Sequence, residues 1–243
     1  MPGLKRIYNI FRYGLGEGAR QRKRAAKVQA RQEKFESGRW QKGQGMAKRQ
    51  YGSYDEYLEH QSAKLGKIVH RLRETWDEDQ AEFRRRFELC EELAGLNSVL
   101  CLGARLGTEV RALHELGFFA VGIDLNPGED NQQVLPGDFH QLIFPDGSVD
   151  AVYTNVMDHV FGLEEVISEI VRVLKPGGVF VADLLPGFEE GFIPGEYESS
   201  HWQNVDAFSR EIAQTGGFAL EAKRDMGQHR RDQWYQFVFR KPA

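Results

Sequence analysis

Cysteine is almost missing: the 243 residues contain two, Cys90 and Cys101. Two cysteines cannot build a disulfide framework, so a reducing, cytoplasmic setting is the expectation. No apolar run approaches the ~20 residues of a membrane-spanning helix. No secretory apolar region follows Met1, and no internal repeat is visible. No set of His, Cys, Asp and Glu has metal-ligand spacing, so no metal is expected. What remains is a chain that is 41% apolar and 28% charged, suited to one sizeable packed domain with an extension.

The net charge of −4 hides an asymmetry. Residues 1–50 carry 14 Lys and Arg against 3 acids, net +11, and the rest carries −15. This predicts a basic, partly helical arm over 1–50, with a weak apolar face at Leu4, Ile7, Tyr8, Phe11 and Leu15. Such an arm serves either an anionic partner, nucleic acid or a membrane face, or only solubility. Residues 51–95 read as two helices forming a cap. Ser53 and Glu56 suit a capping box at the first, and Asp77 or Asp79 suits the start of the second. Leu58, Leu65, Ile68, Leu72 and Trp76 recur at helical spacing.

From residue 96 to 243 strand and helix patterns alternate. Strands are predicted at 98–102, 119–124, 133–137, 149–154, 178–184, 218–224 and 233–240, and helices at 107–116, 163–174 and 205–215. The last two strands lack a helix between them, which requires an antiparallel hairpin. The segment 98–127 is the most informative. An apolar run, Val99 to Leu102, meets the turn Gly103-Ala104-Arg105-Leu106-Gly107, then a helix, then a second apolar run ending at Asp124. Strand, glycine turn, helix, strand and acid form the nucleotide-binding half of a doubly wound α/β sheet. Asp124 follows Gly103 by 21 residues, near the ~20 that place an acid over a ribose. An adenosine-containing cofactor is the resulting expectation.

Further motifs follow in order: Gly137-Asp138, Phe144-Pro145-Asp146-Gly147-Ser148-Val149-Asp150, and Arg172-Val173-Leu174-Lys175-Pro176-Gly177-Gly178. With the glycine turn and Gly122-Ile123-Asp124, this ordered set resembles the class I S-adenosylmethionine-dependent methyltransferases of type 11. The resemblance covers residues 96–184 most strongly. It implies a Rossmann-like fold with a mostly parallel seven-stranded sheet, an antiparallel C-terminal strand and, here, an N-terminal helical extension. It implies S-adenosylmethionine as cofactor, with Asp124 on the ribose, Leu125 and Phe139 beside the adenine, and Asp138 on its amine. Gly103, Ala104 and Gly107 would let the backbone meet the amino-acid tail, and Asn155 would line the transferred methyl. His159 is the candidate general base, with His140 and His201 behind it. Phe188, Phe192, Tyr197 and Trp202 would build an acceptor pocket or simply close the domain.

The chain departs from the family pattern at three places. Cys101 stands where an acid is usual and Arg105 where a glycine is usual, so Arg105 would pair with the cofactor carboxylate or with Glu109. Glu109 could also replace the missing acid. Only Asn126 to Gln132 separate the second and third strands, so the usual helix there is short or missing, and the 51–95 helices could cover that face. The Asn/Asp-Pro-Pro-aromatic tetrapeptide used for base and glutamine amines is absent, which argues against those acceptors; the resemblance leaves a hydroxyl on a small molecule or glycan as the expected acceptor. Two other readings stand beside this one. A nicotinamide-dependent oxidoreductase shares the first strand, turn and acid, and a non-catalytic module could bind nucleic acid or a partner through the arm.

Overall fold

The computed structural model of the protein describes Gly18, residues 22–23, 25–43 and 45–243. The apolar face expected between Leu4 and Leu15 lies outside them. Residues 25–37 form helix α1, as the basic, helix-favouring composition predicts. The arm does not stay solvated to residue 50, however. Phe35 is buried, and Trp40–Lys42 (β1) and Met46–Arg49 (β2) form a hairpin. Strand β2 pairs in turn with β8 (Ser200–Trp202), with Met46 opposite Trp202. Burial of Met46 and Ala47 against the body ties this segment down despite its polar flanks.

Three helices follow where two were expected: α2 (Tyr54–Ser62), α3 (Lys64–Glu74) and α4 (Trp76–Glu88). The chain bends at Ala63, a residue that carries no breaking signal of its own. Ser53 caps α2 by accepting the Glu56 N–H at 3.2 Å, but the Glu56 carboxylate takes the Gly52 N–H instead of completing the box. Helix α4 starts at Trp76, behind Thr75, ahead of the expected Asp77 or Asp79 cap.

The main sheet runs in the order β5-β4-β3-β6-β7-β10-β9. Its strands are β3 (Ser98–Leu102), β4 (Phe119–Asp124), β5 (Val134–Pro136), β6 (Val149–Thr154), β7 (Leu174–Leu184), β9 (Ala219–His229) and β10 (Asp232–Arg240). The neighbouring pairs from β5 to β7 are parallel, and β10 runs antiparallel between β7 and β9. This is the Rossmann-like methyltransferase sheet expected from the motifs. Strand β7 starts four residues early because Leu174 pairs with Val149 across a register shift.

Helices α4 and α5 (Thr108–Glu115) cover one face, where Phe87, Val110 and Leu113 join Val99, Cys101 and Tyr153. Helices α6 (Leu163–Val173) and α7 (Val205–Gly216) cover the other, joining Ile167, Ile170 and Phe208 to Leu100, Val152 and Phe180. No helix lies between β4 and β5. The α2–α3 junction docks there, with the Asn126 side-chain amide donating to the Ser62 carbonyl at 3.0 Å. The chain leaves β3 for β4 on one side and reaches β6 on the other, so a crevice opens at the carboxyl ends of these strands.

Gly122 allows the turn after β3 to lie close to β4. A Cβ there would stand 2.6 Å from Ala104 Cβ and 2.9 Å from Val134 Cγ2. Gly122→Ala therefore destabilises the fold by about 1–3 kcal/mol through overpacking, read as a lower urea midpoint with an unchanged slope.

Candidate functional site

The turn 103–107 leaves β3 in three left-handed steps: Gly103 (φ 72°), Arg105 (φ 47°) and Gly107 (φ 90°). Arg105 thus occupies backbone space that favours glycine, at an expected cost of ~1–3 kcal/mol. The Gly103 and Ala104 N–H groups both donate to the Ile123 carbonyl, at 2.8 and 3.1 Å. The Arg105 N–H donates to Asp124 Oδ2 at 2.9 Å, and the Asn126 N–H to Oδ1 at 2.8 Å. Burial pushes the Asp124 carboxyl above its ordinary value, against these hydrogen bonds.

Two cavities meet at this turn. The smaller, about 40 Å³, is lined by Asp124, Leu125, Asn126 and Phe139 on the sheet side and by Tyr57 and Leu65 from α2 and α3. The larger cleft, about 620 Å³, is lined by Gly103, Ala104, Arg105, Glu109, Asn155 and His159, with further walls from α1, α3 and α4. Gly103, Arg105, Val156, His159 and Lys64 line both. Of the residues the resemblance assigns to the cofactor, Gly107 and Asp138 line neither. Gly107 starts α5 instead, and a Cβ on it would meet Val134 Cγ2 at 2.9 Å.

Asp138 is already engaged. It accepts the Tyr54 hydroxyl at 2.5 Å on Oδ2, and the His140 N–H and ring Nδ1 on Oδ1 at 2.8 and 2.9 Å. Burial opposes its ionisation, but these hydrogen bonds outweigh it and hold the carboxyl below its ordinary value. His140 Nε2 accepts the Phe161 N–H, and the buried His201 ring bonds the Pro186 carbonyl, so both histidines serve the packing. Phe192 and Tyr197 line the larger cleft. Phe188 packs on Phe35, and Trp202 is fully buried, stacked on Phe208 at 4.2 Å.

His159 sits at the junction with both ring nitrogens occupied. Nδ1 lies 2.8 Å from the Tyr197 carbonyl, so it carries the proton, and Nε2 accepts from Lys64 Nζ at 2.6 Å. Burial, then the Lys64 charge, drives the His159 pKa down, keeping the ring neutral. Lys64, from α3, was not foreseen; burial and then Arg105 lower its pKa. Asp158 beside it is raised by burial and then by Glu198. Asp158, His159 and Glu198 bring donor atoms within 4.8 Å of one another, a cluster invisible in the sequence because Glu198 arrives from a distant loop. The Lys64 amine meets His159 there. Glu109 is 5% exposed and forms no ion pair with Arg105 among the described residues.

The methyltransferase domain family model matches residues 100–182. That span contains the turn, Asp124, Asp138, Asn155, His159 and the start of β7, in the sheet order just described. The fold is that of the class I S-adenosylmethionine-dependent methyltransferases, and residues 100–182 match a methyltransferase domain. Sterol 24-C-methyltransferase of Yarrowia lipolytica is 36% identical over 115 residues, covering 40% of this chain and 29% of the relative. The chain thus spans under a third of that relative's length. The domain also superposes on 1,6-didemethyltoxoflavin-N1-methyltransferase of Burkholderia thailandensis, solved with 1,6-didemethyltoxoflavin and S-adenosylhomocysteine. The TM-score is 0.64 at 15% identity, covering 82% of this chain and 96% of that one. The methyltransferase solved with the Trm112 activator of Haloferax volcanii gives a TM-score of 0.61 at 19% identity, covering 75% and 98%. Among the described residues no helix is long and apolar enough to cross a membrane.

Burial raises the Glu109 carboxyl to about 8 in this domain. The folded state therefore holds a proton that the unfolded chain releases near pH 4.5. The resulting stability is complete below pH 4.5 and is lost as pH rises through 8. Melting temperature should fall over that window, and Glu109→Gln should make the fall shallower.

Proposed function

We propose that this protein moves the methyl group of S-adenosylmethionine onto an oxygen of a small molecule held in the larger cleft. The observation that carries this reading is the wall shared by the two cavities, Gly103, Arg105, Val156, His159 and Lys64. It joins a nucleoside-type groove directly to an acceptor-sized space.

The residues present fit the cofactor in kind. Asp124 spends one N–H per oxygen on its own backbone, leaving lone pairs for both ribose hydroxyls. Leu125 and Phe139 offer apolar faces to the adenine, and Asp138, outside both cavities, reaches its amine only once Tyr54 of α2 releases it. Gly103 and Ala104 let the backbone approach the amino-acid tail, with Arg105 set for its carboxylate and Glu109 for its amine. The smaller cavity holds no more than a few waters, so entry of a nucleoside requires α2 and α3 to shift outward.

Bound S-adenosylmethionine supplies a methyl already activated on a sulfonium, so the protein's task is mainly alignment. Asn155 and Val156, just past β6, line the junction where acceptor and methyl meet. The acceptor hydroxyl proton passes to the Lys64 amine, which His159 positions through Nε2. His159, the base expected from the sequence, then acts through Lys64. Two free, buried cysteines support a reducing, cytoplasmic setting. The oxidoreductase reading loses support, because β10 lies antiparallel inside the sheet.

Calorimetry with S-adenosylhomocysteine tests the pocket. Asp124→Ala removes hydrogen bonds to a charged group worth ~1.5–3 kcal/mol, so affinity should fall roughly 10–150-fold. Equal affinity in wild type and variant would sink the assignment.

A further inference from the structure

The basic arm was expected to serve solubility or a separate anionic partner, yet its helix turns toward the cleft. Lys27, Ala30, Arg31 and Lys34, at i, i+3, i+4 and i+7, all line the larger cavity. The acids of α1 are bonded within the helix instead, Glu33 by Gln29 at 3.1 Å and Glu36 by Gln32 at 2.5 Å. The helix is anchored in this orientation. Phe35 is 4% exposed, with its ring 5.2 Å from Trp40 and 5.5 Å from Phe188. The Arg31 guanidinium lies against Gly195, where a Cβ would stand 2.2 Å from Nη2.

Asp232 acts on Arg31, Glu196 on Lys34 and Asp79 on Arg71 only from beyond ion-pair distance. Among the described residues, Lys27, Arg31, Lys34 and, on the α3 wall, Arg71 take part in no ion pair. Other cations of the cleft do: Arg86 bonds Asp183 at 3.0 Å and Arg230 bonds Asp79 at 2.6 Å. Glu196 is paired as well, by Lys67. Burial favours the neutral form of Glu109 and Asp158. Glu198 and Asp232 are the other acids of the lining without an ion pair among the described residues, against Lys27, Arg31, Lys34 and Arg71, so the cleft keeps a surplus of positive charge beside apolar walls from Ile68, Leu72, Phe83 and Trp234.

We propose that the acceptor is a small molecule with a phosphate or carboxylate on an apolar body, its anion drawn to the Lys27–Arg31–Lys34 face. This rests on the proposed methyl transfer only for the word acceptor. Lys27, Arg31, Lys34 and Arg71 line the larger cleft and not the nucleoside groove, which separates them from the ribose and adenine.

The test compares 1-naphthyl phosphate with 1-naphthol, one ring system with and without charge, by calorimetry on the full chain with S-adenosylhomocysteine present. The phosphate should bind at least about tenfold tighter, as charge-assisted contacts require. Lys27→Ala/Arg31→Ala/Lys34→Ala should close most of that gap, leaving naphthol and S-adenosylhomocysteine within about twofold. Arg71→Ala, on an independently packed helix, should narrow the gap even where the triple variant loosens α1. Equal binding of the two probes, or a gap that survives both variants, overturns the proposal. So does an equal loss of S-adenosylhomocysteine, which would assign the cations to the cofactor carboxylate. Steeply salt-dependent binding of a DNA oligomer that leaves naphthyl phosphate bound also overturns it, in favour of a nucleic-acid surface. Failure of S-adenosylhomocysteine to bind would instead sink the methyl-transfer reading and leave the probe comparison intact.

Discussion

The approach of one turn to one strand end organises the site. Gly103 and Ala104 donate to the same Ile123 carbonyl, and Arg105 donates to the Asp124 carboxylate next to it. These three bonds lock the exit of β3 onto the tip of β4. Side chains on either partner would hold the two apart: a Cβ at Gly103 would meet Val156 Cγ2 at 2.3 Å, and one at Gly122 would meet Ala104. Arg105 takes its positive φ inside this locked turn, with its N–H on Asp124. The constraint also gives Asp124 two roles at once, fastening the turn and presenting its remaining lone pairs to the smaller cavity.

Around that frame, burial alters the charge of the site more than its residue list suggests. Lys64, Asp158, His159 and Glu109 all lie at the cleft, and for each the loss of water favours the neutral form. The Arg86–Asp183 pair beside them behaves differently. Burial opposes the Arg86 charge as well, but Asp183 outweighs it, and Tyr153 and Gln236 satisfy that carboxylate further at 2.7 and 3.2 Å. Lys64 and Asp158 are therefore poised to exchange protons near neutrality, while the Arg86 guanidinium beside them keeps its charge. The difference lies in how many partners each charge has, not in depth.

Much of the sheet was legible because its strands are apolar runs, two of them ended by Gly103 and Asp124. The segments at 98–102, 119–124 and 149–154 form strands at those bounds. The Asp124 environment was legible for the same reason, being local in the chain. Lys64, the Tyr54 bond to Asp138 and the β1–β2–β8 sheet were not. Each joins residues far apart in sequence, and Lys64 reads as an ordinary exposed helical lysine until α3 is laid over the crevice. The split of one expected helix into α2 and α3 at Ala63 is likewise set by docking on Asn126, not by any breaker residue.

The uneven charge of the chain acquires a structural reason from this docking. The body beyond residue 50 carries net −15, a field that repels anions approaching any cleft it contains. Helix α1 brings cations from the +11 segment to the mouth of that cleft and keeps its acids bonded along the helix. An arm held only by charge would detach as salt rises, because exposed ion pairs are weak and screened. Here Phe35 and the β2–β8 pairing supply attachment that salt does not weaken. Cations of the arm thereby offset the acidic body at the cleft they line.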